Sequence, residues 1–156
     1  LVRTLQTTNP SLLHSLLFRL DRVTICPGFH SSSHLVIERL NSLSSITFLD
    51  GSCSQYDSED PPYLHVPDIV KNRKSLQIRN CPNLQVIHFG KCACSDYTSL
   101  QIELPSLKEC VFGEEDSYCF YAASELEMET PLLSSLVFGE WSFFWTERVN
   151  IRSMVC

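Results

Sequence analysis

Glycine is scarce in this chain, with only five in 156 residues. No glycine-rich phosphate loop can be built from them, which removes the best-defined nucleotide-binding motifs. Long apolar runs are also missing. None approaches the roughly 20 residues that a membrane-spanning helix needs. No basic segment leading into an apolar stretch opens the chain, so no signal peptide is visible. Positive charge is in short supply, 12 Lys and Arg against 18 Asp and Glu for a net charge of −6. Nucleic acid and anionic membrane surfaces call for a basic footprint, so neither is expected as a partner. There is no Asn-x-Ser/Thr acceptor, since Asn9 is followed by Pro10, and this leans toward an intracellular protein. The chain opens on Leu1 and closes on Cys156 just past a strand-like run, which reads as a fragment of something longer.

What is present is a repeat. The segment CPNLQVIHFG (81–90) returns as LPSLKECVFG (104–113) and as TPLLSSLVFG (130–139). Each copy has an apolar residue, another three positions on and an aromatic five on, followed by glycine: Leu84/Ile87/Phe89, Leu107/Cys110/Phe112 and Leu133/Leu136/Phe138. Leu43/Ile46/Phe48 and Leu13/Leu16/Phe18 extend the frame upstream, which gives five copies separated by 30, 41, 23 and 26 residues. Fixed-period self-similarity of this kind is the signature of a solenoid, in which each unit buries its apolar face only against its neighbours.

A second element precedes each copy: SLQIR (75–79), SLQIE (99–103) and ELEME (125–129), with HLVIE (34–38) and TLQTT (4–8) as upstream versions and RVNIR (148–152) opening a sixth unit. Strict alternation of apolar and polar residues marks these as strands with one buried face. Leu76/Ile78, Leu100/Ile102, Leu126/Met128 and Val149/Ile151 are assigned inward. The expected fold is a mainly β repeat solenoid, 1–156, with two short strands per 23–41-residue repeat and little helix; residues 114–124 are the best candidate for a helical turn. The glycines at 90, 113 and 139 fall where a strand must end and bend, with a positive φ as one way to do so. The longest separation holds residues 51–74, rich in serine, acid and proline, which reads as a loop insertion; CPGFHSSSH (26–34) reads as a smaller, flexible turn.

LPSLKECVFG, followed by an aromatic patch and a short alternating strand, resembles the irregular leucine-rich repeats of single-celled eukaryotes, whose running pattern is similar to LxxLxFG…F…LxIE. NCPNL (80–84) is similar to the joint of other leucine-rich repeats. The resemblance is closest over 75–153. It implies a curved solenoid with a strand-lined face and a partner-binding role, and implies no activity. The chain departs from the standard pattern where an asparagine or cysteine should follow the last leucine position by three: those places hold Cys92, Glu115 and Trp141.

Candidate chemistry is thin. Cys110 takes the register of Ile87 and Leu136, and Cys53 and Cys94 share the place of Phe143, so all three read as interior. A disulfide between Cys53 and Cys94 stays open on this reading, because equivalent places in adjacent coils suit the bond's reach. Cys92-Ala-Cys94 is too tight for the usual zinc spacing. The five histidines fall in no metal-protease spacing, and the acids around 57–60, 114–116 and 125–129 lack a calcium-loop pattern, so a solvated acidic face is the plainer reading. No catalytic residue, cofactor or metal is assigned. In WSFFWTE (141–147) the aromatics cannot all face inward, which leaves Trp141 and Trp145 as candidates for exposure.

In the LxxIxF strand the third and fifth positions look outward. Stacking places Ser15/Leu17, Ser45/Thr47, Val86/His88, Glu109/Val111 and Ser135/Val137 in two rows. Leu17, Thr47, His88, Val111 and Val137 then form a mildly apolar stripe of the kind that protein-binding faces carry. The expected role is a protein-binding scaffold using Leu17, Thr47, Val86, His88, Glu109, Val111, Ser135 and Val137, with a structural spacer as the alternative. Uncapped strand edges at the ends would favour self-association.

Overall fold

The computed structural model describes residues 4–7 (as backbone), 20–29, 33–57 and 59–154. The described residues form eleven short strands in two sheets; from β2 onward the strands alternate between them, and every neighbouring pair is parallel. Sheet A holds β1 (Thr4–Thr7), β2 (Arg22–Ile25), β4 (Ser45–Phe48), β6 (Val86–Phe89), β8 (Glu109–Phe112) and β10 (Ser135–Phe138), in that spatial order. Sheet B holds β3 (His34–Glu38), β5 (Ser75–Arg79), β7 (Ser99–Glu103), β9 (Glu125–Glu129) and β11 (Arg148–Arg152). The chain winds from one sheet to the other as a β-solenoid of about five turns, as the alternating pattern and the repeat require.

Register explains the core. Ile46, Ile87, Cys110 and Leu136 are aligned across sheet A, as are Phe48, Phe89, Phe112 and Phe138. The rings stack, with centroids 4.5 Å apart for Phe48 and Phe89 and 5.1 Å for Phe89 and Phe112. In sheet B, Leu35, Leu76, Leu100 and Leu126 form one buried row and Ile37, Ile78, Ile102 and Met128 another. Each such side chain contributes roughly 1.5–3 kcal/mol by leaving water, and almost all of that depends on the coil next door. The last coil shows the dependence: Val149 is 57% exposed and Ile151 37%, since no described strand lies over β11.

At the start of the repeat the strand pairing differs from the expected stacking. The place beside β4 belongs to β2, with Val23 against Ile46 and Ile25 against Phe48, and Leu20 buried three residues ahead. The frame drawn through Leu13, Leu16 and Phe18 lies outside the described residues, and Leu20 stands 23 residues ahead of Leu43. The apolar run 12–20 offers several LxxL frames, and only strand pairing selects among them. TLQTT does not join sheet B either: β1 pairs with β2 in sheet A.

The corners carry the other departures. Residues 114–124 form no helix; Asp116, Tyr118 and Phe120 have positive φ, and so do Cys92 and Cys94, and Trp141 and Phe143. A left-handed residue at every second position forbids helical hydrogen bonding. It turns the backbone groups toward the neighbouring coil, as in Cys94 N to Ser52 O (2.9 Å) and Phe143 N to Cys119 O (3.2 Å). At another corner Thr98 Oγ1 donates to Lys74 O and Ser124 Oγ to Thr98 O, a hydroxyl ladder in place of an asparagine one. Of the three glycines that follow phenylalanine, only Gly113 has positive φ (68°). Gly90 is required by close approach, because a Cβ there would lie 2.7 Å from Asp50 N.

The insertion at 51–74 is not all loop. A 3-10 turn at Pro62–Leu64 leads into α1 (Val66–Asn72), each with a proline in its first turn, where proline's fixed φ favours helix and its missing N–H costs nothing. Ile69 is the buried side chain of α1. Lys74 then donates to Asp96 Oδ2 at 2.5 Å, which ties the returning chain to the next coil. In the smaller insertion, Gly28 makes the turn at φ 83° and Phe29 is fully buried.

Candidate protein-binding surface

The outward positions of sheet A form two rows. One runs Arg22, Ser45, Val86, Glu109, Ser135 and the other Thr24, Thr47, His88, Val111, Val137. Glu109 and Val137 are exposed, and Thr47, Val86, His88, Val111 and Ser135 are half-buried. Seven of the eight residues assigned from sequence are thus brought together on one face. Leu17 lies outside the described residues, and Thr24 holds the place beside Thr47.

The rows end at a groove that sequence reasoning missed. Past the ends of β4 and β6, Thr47, Leu49, Asp50, His88 and Lys91 line a depression that meets a second one at Glu114 and Glu115. The second is a shallow, open depression bordered by Val111, Val137, Phe138 and Glu140. Glu114 and Glu140 each follow a Phe-Gly pair, so the backbone pairing of Gly113 with Phe89 (2.7 Å) and Gly139 with Phe112 (2.8 Å) sets both at equivalent places in adjacent coils. A Cβ at Gly139 would run into the Glu114 carbonyl, so glycine lets the two corners close. Glu114, Glu115 and Glu140 are exposed, and among the described residues none is in an ion pair. The recurrent FGE of 112–114 and 138–140 was the available signal.

A second exposed patch is aromatic. Trp141, Phe144 and Trp145 are each about half exposed. They extend a cluster in which Tyr121 stacks on Phe144 (5.4 Å) and Tyr118 on Trp141 (6.4 Å).

The reactive side chains are mostly accounted for by packing. Cys53 and Cys94 occupy the same column in adjacent coils and are both buried free thiols. Burial pushes the Cys94 thiol well above its ordinary range, and it does the same at Cys110 and Cys119. Neutral, buried thiols are inert as nucleophiles. His65 bonds Asp60 at 2.6 Å and stacks on Tyr56, while His34 bonds Ser75 at 2.7 Å. His14 and His30 lie outside the described residues. Burial raises the Asp96 carboxyl, partly offset by the Lys74 ammonium that bonds it. Among the described residues no three His, Cys, Asp or Glu side chains converge on a point where one metal ion could sit. Comparison of the chain with known family models, with curated proteins and with solved structures returned no match.

Proposed function

We propose that this chain is a protein–protein interaction module, a leucine-rich-repeat-like scaffold that offers the outer face of sheet A to a partner and performs no chemistry of its own. The observation that supports this most is the union of a half-apolar row (Thr47, His88, Val111, Val137) with a groove at its end. Apolar floors rimmed by polar groups are how transient protein interfaces are built. A rigid parallel ladder suits the task, since strand register fixes the spacing of the presented side chains before a partner arrives.

The test is capture from native lysate by the intact chain and by the double variant His88→Asp, Val111→Asp. Both positions are half-buried on the outer face, so the charges can be added without entering the core. A partner held by the intact chain and lost by the variant is the expected result. A folded variant that captures the same partners equally well would overturn the reading of this face and favour a structural spacer.

A further inference from the structure

The chain's charge is unevenly placed. Residues 113–154 contain eight acidic side chains and only two basic ones, Arg148 and Arg152, and so carry the whole net charge of −6. Both arginines lie on β11 in sheet B, away from the groove, and Arg148 is paired with Glu125 at 2.9 Å. At the groove itself Glu114, Glu115 and Glu140 stand around the outward side chains of Val111 and Val137. The adjoining depression adds Asp50 and Lys91, whose backbone N–H bonds Asp50 Oδ1 at 2.8 Å.

We propose that the groove takes a lysine- and arginine-rich polypeptide segment of a partner protein, a deepening that rests on the interaction-module reading. Lysine and arginine match both parts of the site. Their aliphatic stems lie on apolar surface while the charged head reaches past it, here from Val111 and Val137 to the three carboxylates. A purely apolar segment would strip water from those carboxylates and leave them unpaired, which is costly. An acidic segment would be repelled. Charge of one sign around the groove also speeds encounter with a cationic partner, in a manner that salt suppresses.

The experiment is fluorescence anisotropy with three labelled peptides, alternating lysine–valine, glutamate–valine and serine–valine, against the full chain and two variants. The groove variant is Glu114→Gln, Glu115→Gln, Glu140→Gln. The control is Glu125→Gln, Glu127→Gln, Glu129→Gln, which removes the same charge from sheet B. The lysine–valine peptide is expected to bind the intact chain and to bind the groove variant about tenfold more weakly, a difference of one decade in Kd. The control should stay within about twofold, and neither of the other peptides should bind. Equal weakening in both variants would reduce the attraction to bulk charge and overturn the proposal, as would serine–valine binding as well as lysine–valine. If no cationic peptide binds while His88→Asp, Val111→Asp still abolishes lysate capture, the cationic partner is refuted and the interaction module survives.

Discussion

Phe112 carries more of the core than any neighbour in its row. It stacks between Phe89 and Phe138 and meets Phe120 and Phe143 edge-on, all within 6 Å between centroids. Phe112→Ala is expected to cost about 3–5 kcal/mol in urea unfolding, because both flanking coils lose a packed face and neither can collapse into the gap. The cysteines make a second prediction. Cys26 is partly exposed, whereas Cys53, Cys94, Cys110 and Cys119 are buried. Pulsed alkylation read by mass spectrometry should label Cys26 in the native protein and the other four only after unfolding; early labelling of Cys94 would mean that its corner opens locally. At this scale the sequence was legible wherever a residue repeats a register. Cys110 reads as interior because Ile87 and Leu136 flank it. Glu114 and Glu140 could be paired only through the recurrent FGE, since stacking of coils and not closeness along the chain brings them together.

Among the elements, α1 is the one least tied to the ladder. Ile69 is its buried side chain and stands outside the main core cluster. Ile69→Asp should release 62–73 while leaving the coils intact, seen as loss of amide protection confined to that segment; unfolding of the whole chain would show that the insertion is integral. The anchor behind it titrates. Burial raises the Asp96 carboxyl even with Lys74 beside it, so the folded protein holds that proton more tightly than the unfolded chain does. The associated stability is full below the unfolded carboxylate pKa and is lost as pH rises through the higher folded value. Asp96→Asn, which cannot ionise, is therefore expected to gain on the parent in urea midpoint as pH rises above about 4, the ordinary carboxylate value. A midpoint difference that does not change with pH would contradict this. Strands were readable here because alternation is a local property. The helix was not: Pro61, Pro62 and Pro67 read equally as loop punctuation and as first-turn residues, and the choice depends on Ile69 finding a surface to bury against. The run 114–124 erred the other way, because alternate left-handed residues leave no apolar periodicity to detect.

For the molecule as a whole, the described coil at the β11 end leaves Phe138, Val149, Ile151 and Met154 exposed at positions that would be covered elsewhere in the stack or lie beside them. Open parallel edges with apolar surface invite strand addition. In sedimentation experiments on these 156 residues alone, the exposed apolar surface at β11 is expected to give self-association with rising concentration, and Val149→Lys, Ile151→Lys to suppress it. A monomer at all concentrations for the unaltered chain would contradict that. The overall architecture was legible because the repeat announces it. The placement of the first coil was not, since 12–20 admits several frames and only pairing with β4 chooses Val23 and Ile25.

The insertion between β4 and β5 has one more consequence. Leu43 and Leu84 are 41 residues apart, while Leu84 and Leu107 are 23 apart, yet β4, β6 and β8 are successive neighbours in one unbroken ladder. Every coil therefore advances the axis by one strand spacing of about 4.8 Å, however much chain it consumes. Height is counted in rungs and contour length is spent at the corners, so the two vary independently. A corner can acquire a helix, or lose one, without moving any other coil along the axis or shifting a single outward residue out of line with its neighbours.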